Sequence, residues 1–361
     1  MKKTLLLTID FPPHTGGVAH YLSALADFYS KEIVVIAHPV FGEKESDQIR
    51  KGKVIRQSLF FRFVWPKWSK TLFLLLKNNE YHQILVSHVL PLGTAAYFAK
   101  LITKKPYLVI VHGMDIRLAK QFFWKRFLVG LVLRGAKLVI TNSIDLQTEV
   151  ERSFRVKKTV VLYPCLTHIN QCLQKIPHKG IRLLTVSRLV ARKGHLRVLD
   201  ALIKLKESQK LKDITYTIIG YGEMKTLLQK KIDAQGLQNS VQIHSSITDE
   251  ELAQWYAKSD IFIMPVVHDL VDKEGFGLVF LEAALFGLPS ITTNMPGVDE
   301  AVIDHQTGLL LEDGDISALA QAILNLAQNR ELRDQLGTQA ADRAKKVFSC
   351  EKQFEVLKPY L

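Results

Sequence analysis

The residues best suited to chemistry run Glu274-Gly275-Phe276-Gly277-Leu278-Val279-Phe280-Leu281-Glu282-Ala283. They follow an apolar segment ending at Pro265 and a polar loop. The two glycines permit a tight strand-to-helix turn and close backbone approach to a ligand. The apolar run from Leu278 predicts a buried helix starting near Gly277. The free N–H groups and positive dipole end of that helix suit a phosphate. Glu282 lies on the order of 7 Å further along the axis, where a carboxylate could accept hydrogen bonds from a ribose. Glu274, before the turn, would face the group beyond the phosphate. The plainer alternative makes Glu274 a loop carboxylate and Glu282 a cap for neighbouring backbone.

A second cluster is Ser187-Arg188-Leu189-Val190-Ala191-Arg192-Lys193-Gly194. It places two or three cations after a strand and before a helix. Arg188 and Lys193 could neutralise a diphosphate, one as a bidentate fork and the other as a compact charge. A solvated turn is the alternative. In the first half, Asp10-Phe11-Pro12-Pro13-His14-Thr15-Gly16-Gly17-Val18 reads as a flexible loop whose N–H groups can approach a ligand. His112-Gly113-Met114-Asp115 ends a strand, so His112 is either a site residue or a structural cap. Gly220-Tyr221-Gly222 resembles a truncated dinucleotide fingerprint but lacks the third glycine, which discounts a nicotinamide site. No spacing of His, Cys, Asp or Glu suggests a metal site, and no Asp-x-Asp pair follows a strand.

These segments need strands to present them. Short β-branched runs alternate with amphipathic helical patterns. Strands are predicted at 5–9, 33–37, 84–87, 107–111, 138–141 and 159–162, then at 182–186, 215–219, 241–244, 261–264, 290–293 and 308–311. Being apolar on both faces and separated by helices, they read as two parallel sheets of βαβ units. Residues 166–180 break the pattern and form the expected linker. Two such halves would leave a cleft between their strand C-terminal ends, where open α/β sheets bind ligands. The final segment, 345–361, reads as amphipathic.

The chain has 361 residues, 47% hydrophobic and 23% charged, which bounds it to about two soluble globular domains. No apolar run approaches the ~20 residues of a membrane span. Asp10, Pro12 and Pro13 interrupt the N-terminal apolar stretch, so it reads as a buried strand and not a signal peptide. Cys165, Cys172 and Cys350 have no metal-like spacing and point to a reducing compartment.

The net charge of +13 is unevenly spread: residues 1–170 carry 25 Lys/Arg against 11 Asp/Glu, and residues 171–361 carry 23 against 24. An anionic partner for the first half follows. No nucleic-acid-binding signature accompanies the charge. Basic and aromatic residues interleave at 60–70 and 120–127, which suits an anionic membrane surface. The alternative is core aromatics beside solvated lysines.

Taken together, these residues resemble the retaining glycosyltransferases of family 4, the "glycosyl transferases group 1" proteins of GT-B fold. The match runs over about residues 181–311. It includes Arg188-Leu189 with Lys193-Gly194, Ile218-Ile219-Gly220-Tyr221-Gly222, residues 257–265, the E-x7-E spacing of Glu274 and Glu282, Gly287-Leu288-Pro289, Pro296-Gly297-Val298-Asp299-Glu300 and Gly308-Leu309-Leu310. The first half matches more thinly, through Gly16-Gly17-Val18, His112-Gly113-Met114-Asp115 and Asn142-Ser143. Ser187, where the family often has Gly, and Met295-Pro296-Gly297, in place of a Gly-Gly turn, depart from the pattern.

The resemblance implies an α/β fold of two Rossmann-like doubly wound domains facing each other across a cleft. One domain would span 1–168, completed by a C-terminal helix at 346–361, and would bind the acceptor; the other would span 169–345 and bind the nucleotide sugar. Arg188 and Lys193 would hold the diphosphate, and Glu282 the ribose. Glu274 would contact sugar hydroxyls, beside the backbone of Phe276, Gly277 and Leu278. His112 would lie near the reacting carbon, Gly16 and Gly17 over the phosphate, and Gly220 beside the nucleotide. His112, Glu274, Arg188 and Lys193 form the implied catalytic set.

The implied reaction is metal-independent hexosyl transfer, with retention, from a UDP- or GDP-sugar to a lipid-linked or cell-envelope glycan. It needs no further cofactor. The implied location is cytoplasmic, at the inner face of a membrane. The competing readings are a same-fold nucleotide-sugar epimerase or phosphorylase, and a catalytically silent nucleotide-sugar-binding subunit.

Overall fold

The computed structural model describes residues 3–14, 16–61, 66–78, 80–165, 174–269 and 272–361. The chain divides into two compact units. One holds residues 1–167 with 350–361, and the other residues 168–349.

The first unit is built on a seven-stranded sheet. Its strands are β1 Thr4–Thr8, β2 Ile33–Ala37, β3 Lys53–Arg56, β4 Gln83–Val86, β5 Tyr107–Val111, β6 Leu138–Thr141 and β7 Thr159–Val161. Their order is β3-β2-β1-β4-β5-β6-β7, and every pairing is parallel. Strand order reverses beside β1, which pairs with β2 on one side and β4 on the other.

The sheet needs cover on both faces because its central strands are apolar on both. Leu5, Leu7, Ile84, Val86, Val109 and Val111 face a core shared with helices Ser69–Lys77, Thr94–Thr103, Phe123–Gly135 and Ile144–Phe154. Leu6, Leu85, Leu108 and Ile110 face a second core under helix Gly17–Phe28. Strand β3 was not among the sequence predictions. Its Lys53-Val54-Ile55-Arg56 run is short, charged at both ends and nowhere fully buried.

The C-terminal segment joins this second core. Phe354 and Leu357 are buried against Tyr21, Leu22 and Leu25, and the Tyr29 hydroxyl donates to the Phe354 carbonyl at 2.6 Å. A disulfide links Cys165 to Cys350, with 5.0 Å between their Cα atoms. The cysteine spacing, read as pointing to a reducing compartment, does not suggest this pairing. A separation of 185 residues carried no pairing signal. Cys172 lies outside the described residues.

The second unit carries β8 Ile181–Val186, β9 Ile214–Ile219, β10 Val241–His244, β11 Ile261–Met264, β12 Ser290–Thr293 and β13 Gly308–Leu311. The order is β10-β9-β8-β11-β12-β13, again all parallel, with the reversal between β8 and β11. Helix ends are stopped locally. Thr248 and Glu251 form a capping box on helix Asp249–Ala257, and Asn329 caps helix Arg330–Val347. Of the expected linker at 166–180, residues 166–173 lie outside the described residues, and 174–180 contain no helix or strand. Residues 62–65 of the basic-aromatic stretch at 60–70, and Thr15 of the Gly16-Gly17 loop, are likewise outside them. Among the described residues no helix is long and apolar enough to cross a membrane.

Candidate active site

The cations of the second unit sit where its strand order reverses. Residues 187–194 leave the C-terminal end of β8, and residues 265–277 leave that of β11. Ligands of open α/β sheets bind at such points. The first loop is set by close backbone packing. The Leu189 amide donates to the Tyr221 carbonyl at 2.7 Å, and the Val267 amide donates to the Arg192 carbonyl at 2.7 Å. Gly220 permits the first approach. A Cβ there would collide with the Ser187 carbonyl, and its φ of +151° disfavours any side chain. Gly220 therefore shapes the loop that carries Arg188.

Glu274 gathers the charge. Lys193 Nζ donates to Glu274 Oε2, and Arg192 Nη1 donates to the same oxygen at 2.5 Å. Arg192 Nε lies 2.8 Å from Asp272 Oδ2. Burial alone would push the Glu274 carboxyl up. Lys193 and then Arg192 outweigh burial and hold it down at about 2. Burial pulls the Lys193 ammonium down and Glu274 pulls it up, while Arg192 is held above its usual range because Glu274 and Asp272 outweigh its burial. The cluster is an ion network with Glu274 anionic. Arg188 differs. Its side chain is exposed and makes no ion pair among the described residues.

Gly277 takes a φ of +83° and starts helix Leu278–Leu285, with no side chain capping its first N–H groups. Phe276 is buried, its ring edge-on to Phe348 with centroids 5.4 Å apart, so only its backbone is placed to meet a ligand. Glu282 lies on the same helix, where its Oε2 accepts the Tyr256 hydroxyl at 2.7 Å. Burial pushes the Glu282 carboxyl up against that hydrogen bond.

In the first unit, polar side chains collect beyond the ends of β1, β4, β5 and β6. His88 Nε2 lies 3.2 Å from Asp10 Oδ2, and His88 Nδ1 lies 2.7 Å from Ser87 Oγ. Ser87 donates to Thr8 Oγ1 at 2.9 Å, which ties the pair to the sheet. The His88 contact lowers the Asp10 carboxyl, against its partial burial.

The His112 ring stands 5.6 Å from the His88 ring. Burial pushes the His112 imidazole down to about 3, so it is neutral at ordinary pH. Among the described residues its Nε2 is buried without a partner, as are Asp115 Oδ2 and Asn142 Oδ1. The pairing of Val111 with Thr141 sets His112 beside Asn142. Buried polar atoms left open in this way are what a ligand's hydroxyls would satisfy. Gly16 has a φ of +149° and open space at its Cβ position, and Gly17 is exposed at the start of its helix.

Two family profiles cover most of the chain. "Glycosyltransferase Family 4" matches residues 15–167 and "Glycosyl transferases group 1" matches residues 173–343. The chain belongs to the family 4 glycosyltransferases. This glycosyltransferase is 26% identical over 348 residues, 89% of this chain and 88% of the relative, to a GDP-mannose-dependent alpha-(1-6)-phosphatidylinositol monomannoside mannosyltransferase of Mycolicibacterium smegmatis. It is 31% identical over 160 residues, 44% of this chain and 39% of the relative, to the amylovoran biosynthesis glycosyltransferase AmsK of Erwinia amylovora. Its fold matches that of Anabaena HepE in complex with UDP, with a TM-score of 0.83 at 20% identity, covering 100% of this chain and 99% of that one.

Sequence reasoning passed over three residues of these side-chain clusters. Arg192 stood in the quoted basic run without a role, although its neighbour Lys193 received one. His88 follows a predicted strand directly, but no glycine or motif marks it. Tyr256 belongs to an ordinary helical pattern, and nothing local links it to Glu282.

Proposed function

We propose that this glycosyltransferase moves a hexose, with retention and without a metal ion, from a nucleoside diphosphate sugar to a lipid-linked or envelope glycan. The observation that carries the reading is the cation network at the N-terminus of helix Leu278–Leu285. Arg188 is open, while Lys193 and Arg192 are held in place by Glu274. Breaking the bond between the anomeric carbon and the phosphate oxygen sends its electron pair onto the diphosphate. Arg188, Lys193 and the helix N–H groups stabilise that charge. The acceptor oxygen bonds to the anomeric carbon on the face the phosphate leaves, and its proton passes to the departing phosphate oxygen.

In this reading Glu282, with one oxygen held by Tyr256, offers the other to the ribose. Glu274 reaches the sugar hydroxyls from within the cation network. His112, neutral and with a free Nε2, meets the sugar near the reacting carbon, and Gly16 and Gly17 lie over the phosphate. Gly220 keeps the Arg188 loop in register beside the nucleotide.

The mannosyltransferase relative supports GDP-mannose as donor and a glycolipid as acceptor. The basic first half supports peripheral contact with an anionic membrane. A cytoplasmic site at the inner face rests on that contact and no longer on the cysteines.

A thermal-shift panel of GDP, UDP, GDP-mannose and UDP-glucose, with and without EDTA, tests the donor. A rise with guanosine ligands that EDTA leaves intact is expected. NMR of the product's anomeric configuration tests retention. A requirement for a divalent ion, or inversion at the anomeric carbon, overturns the mechanism.

A further inference from the structure

We infer that the outward face of the helix pair Met114–Lys120 and Phe123–Gly135 docks on an anionic lipid surface, an inference that rests on the glycolipid-acceptor reading for its purpose. On the first helix Met114 and Leu118 lie one turn apart and are both exposed, and Phe122, in the extended link between the two helices, is exposed as well. On the second, Phe123 is 87% exposed, Trp124 53% and Phe127 58%. The inner faces are already satisfied, because Ile116, Ala119, Val129, Val132 and Leu133 are buried in the sheet's core. Among the described residues the aromatic face thus has no packing role within its unit. A contiguous exposed patch of this kind marks an interaction surface.

The charge around the patch selects its occupant. Of the six Lys or Arg in residues 116–144, a stretch without Asp or Glu, Arg117 is buried against Glu149 and Arg134 and Lys137 bond to Phe154 and Gln83, so Lys120, Lys125 and Arg126 are the cations beside the patch. Lys125 Nζ lies 4.3 Å from the Phe122 ring centroid and 5.4 Å from that of Trp124, while Arg126 is exposed. Lys120 is partly occupied by Glu149 at 2.7 Å. Aromatic rings that enter the acyl boundary beside cations that reach the headgroups fit an anionic bilayer. Position gives the contact its use. Met114 is two residues beyond His112, so the docked face would bring a lipid-anchored acceptor to the polar cluster of the same unit without leaving the bilayer.

The test uses the full chain and vesicles of phosphatidylcholine, alone or with phosphatidylglycerol, in flotation assays. Co-flotation with phosphatidylglycerol vesicles is expected, reduced about tenfold or more in an F123E/F127E double variant. Lipids brominated in the acyl chain should quench tryptophan emission, and W124F should remove most of that quenching while still floating. Three results would overturn the inference: equal flotation with neutral vesicles, no loss in the double variant, or no quenching at Trp124. Self-association of the wild type that the double variant abolishes would instead assign the face to a second copy. The nucleotide-sugar thermal shift, read on the same variants, separates the two readings. An unchanged shift shows an intact donor site, whereas no shift in the wild type defeats the donor reading and leaves the vesicle result standing.

Discussion

Lys193 and Glu274 are 81 residues apart in the chain and share a hydrogen bond in the folded C-terminal unit. Arg192 bonds to the same carboxylate oxygen. Removing that negative charge leaves two cations clustered in a largely buried site. Glu274→Gln should therefore cost roughly 3–5 kcal/mol of stability, the range for breaking a buried ion pair on one side. Urea unfolding at pH 7 measures it. A loss below 1 kcal/mol would show that the network adds little.

Arg188 should separate binding from stability. Its exposed guanidinium has no ion partner to lose among the described residues. Arg188→Ala is expected to leave the unfolding midpoint within about 0.5 kcal/mol of wild type, the usual range for surface changes. Affinity for a nucleoside diphosphate should fall about tenfold or more, as for a lost charge-assisted contact. Calorimetric titration decides, and an unchanged Kd removes Arg188 from the diphosphate site.

Acid should destabilise the fold in two stages. His195 is buried and held at about 4 by burial and by Lys193, and His112 at about 3. Both lie below the ordinary 6.5, so the unfolded chain takes up protons first. Stability then falls as pH drops below 6.5, by about 1.4 kcal/mol per unit of pH for each histidine until its folded value is reached. Glu274, depressed from 4.5 to about 2, contributes stability that is complete above pH 4.5 and is lost as pH falls towards 2. His195→Asn should flatten the slope between pH 6.5 and 4. Parallel pH–stability curves for the variant and the wild type would contradict this account.

Gly220→Ala tests the backbone packing behind Arg188. The added methyl would meet the Ser187 carbonyl at a φ that side chains rarely adopt. A cost of about 1–3 kcal/mol is expected from strain of this kind, with weaker nucleotide binding because the Arg188 loop shifts. Thermal unfolding with and without nucleotide gives both quantities. A variant as stable and as tight-binding as wild type would mean the loops do not depend on this contact.

Glu282 offers a milder probe. Tyr256→Phe removes the hydroxyl that donates to its carboxylate. The expected loss is about 1–3 kcal/mol for a buried acceptor left open. Discrimination between ribose and 2′-deoxyribose nucleotides should also narrow, measured as a ratio of dissociation constants.

The two parallel sheets were legible in the amino-acid pattern alone. Each central strand is apolar on both faces and each is followed by a helical pattern, which leaves little choice but βαβ units. It missed Lys53–Arg56, because a short edge strand with charged ends buries too little to show an apolar run. It also located the loops that carry chemistry, since Gly-x-Gly turns and paired cations are local features. Partnership was another matter. That Glu274 holds Arg192 and Lys193, that Tyr256 holds Glu282, that Asp10 meets His88 and that Cys165 joins Cys350 all depend on segments brought together by strand order. A side chain's type states which bonds it can make. Which neighbour it makes them with is decided by tertiary packing, because burial removes water as the alternative partner and leaves only the groups the fold has placed within reach.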